Sequence, residues 1–169
     1  MAQILCAENI GTAKDKSHKK EDKRMSDAIK PKVLLVDDEE QFLSLLSQRL
    51  GTRGVHAETA TSGEDAVSKV RNTSFDAVIL DMMMPGMGGL ETLRKIREQN
   101  PEVQIIMLTG RGTIEKAVEA MKEGAVDFLE KPADIETLLN KIEEAKEQRI
   151  LLVMKNIEEK VKGLLRKRP

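Results

Sequence analysis

Val78-Ile79-Leu80-Asp81-Met82-Met83-Met84-Pro85-Gly86 decides the fold: a short apolar run delivers one carboxylate to the lip of a Pro/Gly loop. Entered from Phe75-Asp76-Ala77, the run reads as a strand buried on both faces, and such strands belong to parallel sheets covered by helices. Asp81 then stands at the strand's C-terminal end, the edge of an open α/β sheet where ligands bind. Aspartate is also a common turn residue, so at this point Asp81 either closes a turn or does chemistry.

Working outward, the pattern repeats. Lys32-Val33-Leu34-Leu35-Val36 reads as a strand ending in Asp37-Asp38-Glu39. Over residues 41–50, Phe42, Leu43, Leu45, Leu46 and Leu50 recur at helical spacing, with Gly51 closing the helix. Residues 55–60 form a weaker strand, and Ser62 caps a helix over 63–71, with Asp65 supplying acid near its N-terminus. A third helix over 88–99 stops at Asn100-Pro101. Residues 103–108 make a fourth strand leading into Thr109, and a helix over 113–122 ends before Gly124. Residues 126–129 make a fifth strand leading to Lys131-Pro132, and Asp134 caps a helix through Ile135, Leu138, Leu139 and Ile142. Five strand-helix pairs in alternation predict an α/β fold: a five-stranded parallel sheet with right-handed crossovers and helices on both faces. Neither a glycine-rich phosphate loop nor a solenoid repeat is present.

Composition bounds the function classes. At 169 residues the chain holds one ordinary domain with extensions. Hydrophobic content of 40% with 34% charged residues fits a globular protein, and 28 basic against 29 acidic side chains point to neither nucleic acid nor membrane as a partner. Cys6 is the only cysteine, which excludes an internal disulfide and a cysteine metal cluster and suits a cytoplasmic protein. No stretch approaches the roughly 18 apolar residues of a membrane span. Residues 1–30, lysine-rich and poor in apolar side chains, read as a disordered arm. Met25-Ser26-Asp27 reads as a natural start just ahead of the first strand, so that the residues before it would be an upstream addition.

The polar residues at the strand ends form a set: Asp37 and Asp38 after the first strand, Asp81 at the third, Thr109 at the fourth, Lys131 at the fifth. In a parallel sheet these ends lie along one edge. Carboxylates about 5 Å apart repel by about 3 kcal/mol per pair at an effective dielectric near 20. A hard divalent cation relieves this, and Mg²⁺ takes oxygen ligands from one or two carboxylates plus a phosphoryl oxygen. With Lys131 as a point charge and Thr109 as a hydroxyl donor, the set describes a site that stabilises a phosphoryl group, Asp81 being the nucleophile.

In this ordered set, Asp37-Asp38, Asp81 followed by Met-Met-Met-Pro-Gly, Thr109-Gly110 and Lys131-Pro132, residues 31–144 resemble the receiver domain of bacterial two-component response regulators, closest in pattern to receivers of nitrogen-regulation-type activators. The resemblance implies a flavodoxin-like sheet of strand order 2-1-3-4-5 in residues 31–145. It implies that Asp81 accepts a phosphoryl group from a sensor histidine kinase or phosphotransfer protein in a Mg²⁺-dependent reaction, Mn²⁺ substituting. Asp38, Asp81 and the backbone carbonyl of Met83 would hold the metal, with Asp37 acting through a metal-bound water. Lys131 would contact a phosphoryl oxygen across a cis Lys131-Pro132 bond. Thr109 would move toward the phosphoryl group and let Phe128 swing inward. Phe128 stands where the family often has tyrosine, and its other reading is a simple core aromatic. The product is a signalling switch that catalyses only its own phosphorylation and dephosphorylation, read out on the face of helix 4, strand 5 and helix 5 by a downstream protein or a second copy.

Other features take plainer readings. Met82, Met83, Met84 and Met87 lack companion cysteine or histidine and read as flexible packing, not a soft-metal site. Gly86-Met87-Gly88-Gly89 reads as loop and helix-start chemistry, His56 as structural or solvated, and Arg111 as a surface arginine near the site. In residues 146–169, Ile150, Met154, Ile157, Val161 and Leu164 step by four and three, a heptad-like stripe that extends the fifth helix. It reads as a homodimer or partner-docking helix, or else as a helix folded back on its own domain; the terminal Arg166-Lys167-Arg168 cluster is too small to argue for nucleic acid. Two other functions stay open: a receiver separated from a larger DNA-binding transcription activator, and an aspartate-nucleophile phosphatase. Phosphatases of that class resemble Asp-x-Asp at the nucleophile, whereas position 83 is methionine.

Overall fold

The computed structural model describes residues 30–110 and 114–166. The expected N-terminal arm with its Met25 start, Arg111, the helix start at Thr113 and the basic residues 167–168 lie outside them.

Alternate residues of a strand point to opposite faces, and in the central strands both sets are apolar. β1 (Lys32–Val36) and β3 (Ala77–Asp81) are buried almost throughout, as is β4 (Gln104–Thr109). A strand apolar on both faces needs a helical layer on each side. One face of the sheet, with Leu34, Val36, Val78, Leu80, Ile105 and Met107, packs against α2 (Gly63–Asn72), α3 (Gly89–Gln99) and α4 (Ile114–Lys122). The other, with Val33, Leu35, Ile79, Ile106 and Leu108, packs against α1 (Glu40–Gly51) and α5 (Ile135–Leu165). β2 (His56–Ala60) and β5 (Asp127–Glu130) are the half-exposed edges. All pairings are parallel, and the order is β2-β1-β3-β4-β5, as the resemblance implied.

Helix ends follow local chemistry. Ser62 accepts from the Asp65 amide at 3.2 Å and Asp134 from the Thr137 amide at 2.9 Å, both N-caps expected from the sequence. Asn100 stops α3, its Oδ1 accepting from the Glu102 and Val103 amides. Gly124 takes φ of 102° after α4. The end of α1 corrects the expectation for Gly51. Thr52 keeps right-handed angles and the left-handed residue is Gly54, φ 83°, so a turn over residues 51–54 closes the helix.

α5 is one helix of 31 residues, continuous across residue 145. Its first half buries Ile135, Leu138, Ile142 and Ala145. Beyond that, Ile150, Met154, Ile157, Val161 and Leu164 are all 45–70% exposed. The folded-back alternative therefore does not describe this stripe. Among the described residues, no helix is long and apolar enough to cross a membrane.

Candidate functional site

Strand register delivers the polar set to one edge. Val36 pairs with Leu80, Asp81 with Leu108, and Thr109 with Glu130, so the residues just beyond these pairs converge above the C-terminal ends of β1, β3, β4 and β5. Asp37, Asp38 and Asp81 come together there, each offering a carboxylate oxygen within 4.8 Å of the others. Asp37 and Asp81 are buried and Asp38 is exposed. His56 lies at the opposite end, paired with Lys32 at the start of β1.

Lys131 reaches into this cluster from the end of β5. Its Nζ stands 2.5 Å from Asp37 Oδ2 and 3.0 Å from Asp81 Oδ1. The Lys131-Pro132 peptide is cis, as the resemblance implied. The Lys131 amide donates to the Thr109 carbonyl at 2.8 Å, which fixes where the side chain starts. Below the ammonium lies the ring of Phe42 on α1, 4.6 Å away, a cation–π contact that residue spacing alone could not reveal. Asp37 uses its other oxygen to accept from the Glu39 amide at 2.9 Å. Both oxygens of Asp37 are thus engaged by the protein, whereas Asp81 has one oxygen on Lys131 and Asp38 projects into solvent.

Charge and burial oppose one another here. Burial of Asp81 raises its pKa, the Lys131 hydrogen bond and charge pull it back, and the nearby Asp37 and Asp38 charges add to the rise; the net direction is upward. Burial alone would lower the Lys131 pKa, but the hydrogen bonds to Asp37 and Asp81 outweigh it and raise it. The donor set suits a hard cation: three carboxylates, all oxygen, in one cluster. The methionines beside it do not compete for that role. Met82 is buried in the core, Met84 and Met87 pack against it, and the exposed Met83 side chain lies 3.3 Å from Lys116 Nζ through its sulfur.

The two candidate switch residues take different positions. The Thr109 hydroxyl is buried and donates to the Leu129 carbonyl at 3.4 Å. Phe128 is 40% exposed, which corrects its reading as a core aromatic. β5 is an edge strand with alternating exposure, and position 128 falls on its open side.

Gly89 has a sharper role than the loop and helix-start chemistry expected of residues 86–89. A Cβ there would stand 2.4 Å from the Asp81 carbonyl oxygen and 2.8 Å from Met82 Cα. Only glycine lets the N-terminus of α3 come this close to the strand end that carries Asp81. The Gly88-Gly89 pair was the available signal, but which backbone it approaches depends on the fold.

Residues 33–143 match the response regulator receiver domain family. Over 113 residues the chain is 39% identical to the transcriptional regulatory protein ZraR of Salmonella typhimurium, an alignment covering 67% of this chain and 26% of that protein. The chain therefore spans about a quarter of the length of that relative. A response regulator receiver domain protein from Clostridium thermocellum superposes with a TM-score of 0.70 at 35% identity, covering 72% of this chain and 98% of that one. The receiver domain of NtrX from Brucella abortus gives 0.65 at 35% identity, covering 68% and 98%; this likeness agrees with the nitrogen-regulation-type pattern.

Proposed function

The chain belongs to the response regulator receiver domain family of two-component systems, and from that premise we propose that Asp81 is its phosphoacceptor and that phosphorylation switches the α4–β5–α5 face. The observation that carries this reading is the convergence of Asp37, Asp38, Asp81 and Lys131 at one sheet edge. The donor is a sensor histidine kinase or a phosphotransfer protein. In the transfer, an Asp81 carboxylate oxygen forms a bond to phosphorus as the donor's phosphorus–nitrogen bond breaks, and the imidazole leaves with the electron pair.

Asp38, Asp81 and the Met83 carbonyl would hold Mg²⁺, or Mn²⁺ in its place, with Asp37 reaching it through water. When bound, the cation supplies positive charge against the phosphoryl oxygens. Asp37 suits the outer role because both its oxygens already have protein partners. Lys131 is held by Asp37 beside Asp81 and is free to shift from Asp81 to a phosphoryl oxygen once Asp81 is esterified. Thr109 changes acceptor from the Leu129 carbonyl to the phosphoryl group, and the exposed Phe128 ring turns inward. The switch works because the phosphoryl group binds one conformer better than the other. Exposed Val118, Met121 and Phe128 give the switched face apolar contacts for a downstream protein or a second copy. A groove of about 240 Å³ lined by Phe42, Leu45, Pro132 and Ala133 offers the donor an apolar seat beside Lys131. The chain acts in the cytoplasm as a switch that processes only its own phosphate.

The test is incubation with Mg²⁺ and a small phosphodonor, followed by intact mass. Gain of one phosphoryl group, lost in Asp81→Asn, supports the reading; a gain that persists in Asp81→Asn refutes it. Sustained turnover of small phosphoesters would instead revive an aspartate-nucleophile phosphatase. The length of the ZraR relative favours one second reading, in which this receiver serves a larger transcription activator.

A further inference from the structure

The distal half of α5 presents an apolar surface that its own domain cannot reach. Arg149 holds the helix against the sheet's N-terminal end: its guanidinium donates to Asp76 Oδ1 at 3.0 Å and to Ser74 Oγ at 2.5 Å. About two turns further on, Asn156 donates to Glu102 Oε1 at 2.8 Å. Arg149, Val153 and Asn156 therefore define the face turned toward the domain. At about 100° per residue, the stripe Ile150, Met154, Ile157, Val161 and Leu164 lies roughly 100° further around the helix. Two pinned points fix that rotation, so the stripe lies to the side of the domain-facing surface and is open to solvent.

Its size and spacing say what covers it. With the flanking Leu151 and Leu165, the stripe residues are 45–70% exposed. Together they offer on the order of 700 Å² of surface, close to the roughly 800 Å² that each partner buries in a standard interface. Steps of four, three, four and three are the a/d spacing of a left-handed two-helix seam. Two parallel copies in register match every stripe residue with itself and give five apolar layers. Antiparallel copies with a opposite d give at most four, leaving the stripe residue at one end unmatched. In the parallel pair Lys160 falls beside the partner's Leu165 edge, where its aliphatic stem covers the leucine. Gly163 falls outside the seam.

We propose that the distal half of α5 is a dimerisation surface for a second copy of this chain, parallel and in register, and independent of the state of Asp81. The independence follows from position: Asp76 and Glu102 precede β3 and β4, at the sheet end opposite Asp81. The proposal rests on the receiver reading only for what the dimer serves. Two receivers on one constitutive stem stay close enough for their α4–β5–α5 faces to meet when both are phosphorylated.

The experiment uses the full chain with Cys6→Ser. Ile157→Cys in that background is oxidised mildly in dilute solution, beside Glu159→Cys, which points away from the seam. Light scattering and small-phosphodonor labelling follow Ile157→Glu. The expected results are covalent dimer formation at least tenfold faster for Ile157→Cys than for Glu159→Cys, with or without phosphodonor, and a monomeric Ile157→Glu that keeps helical circular dichroism and labels at Asp81. A monomeric parent at tens of micromolar, or a dimer that survives Ile157→Glu or needs phosphodonor, overturns the proposal. Faster cross-linking of Met154→Cys to Ile157→Cys than of Ile157→Cys to itself overturns the parallel register. Failure of labelling with the dimer intact would sink the receiver reading alone.

Discussion

Lys131→Met removes the cation that, among the described residues, pairs with both Asp37 and Asp81. The Lys131 side chain is 22% exposed, and its ammonium stands 3.0 Å or less from both carboxylates. These lie within 4.8 Å of one another, so without the ammonium the two charges repel by about 3.5 kcal/mol at an effective dielectric near 20. Removing one partner of a buried ion pair typically costs about 3–5 kcal/mol. Asp81 already holds its proton more tightly than an ordinary aspartate, and loss of Lys131 raises its pKa further. Proton uptake then limits the damage, so a loss of about 3 kcal/mol at neutral pH in chelator is expected. An acid whose folded pKa is raised weighs against folding above that pKa and is relieved as pH falls through it, so the deficit of the variant shrinks on mild acidification. On the proposed reading Mg²⁺ should replace the missing charge: at a hundredfold excess over its dissociation constant, binding would contribute about 2.7 kcal/mol, and the variant should gain more from it than the parent does. Urea unfolding at two pH values, with and without Mg²⁺, reads all three effects. Parental stability in chelator, or a deficit that grows with acid, would refute the reasoning.

Asp81→Asn should be more stable than the parent at neutral pH in chelator, because it removes the carboxyl whose pKa burial raises. Its advantage should vanish as pH falls below that pKa, which parallel urea titrations will show. Gly89→Ala drives a methyl into the backbone of Asp81 and Met82, so a loss of about 1–3 kcal/mol should accompany slower phosphodonor labelling; stability with normal labelling would show that the strand end does not move. Arg97 donates to the Pro101, Val103 and Gly124 carbonyls. Arg97→Leu strands these acceptors, and a thermal scan should register a loss of about 2–4 kcal/mol.

Much of this was legible in the chain because each signal is local. Apolar runs such as residues 78–80 cannot sit in a solvated strand, and Ser62 and Asp134 satisfy amides three residues away. The strand-end set was legible because parallel topology sends every strand's C-terminus to one edge. What escaped depends on distances across the fold. Phe42 lies under Lys131 through a contact 89 positions away in sequence, and nothing near Phe42 announces it. Nothing in the sequence around Arg149 points to Asp76, the partner to which α5 brings it. Phe128 could not be assigned from its type, since an aromatic fits a core and an edge strand equally; strand alternation in an exposed edge decided it. Gly51 drew attention by its place at a helix end, while the backbone used Gly54 three residues later.

The central claim is that phosphate enters on one carboxylate, and the acyl phosphate can be trapped where it forms. Borohydride reduction of the chain after Mg²⁺ and phosphodonor treatment converts a phosphorylated aspartate to homoserine, which peptide mass spectrometry locates. Homoserine at position 81, absent in chelator and absent in Asp81→Asn, is the predicted result. Homoserine elsewhere, or none at 81 in a chain that has gained phosphate, would contradict the account.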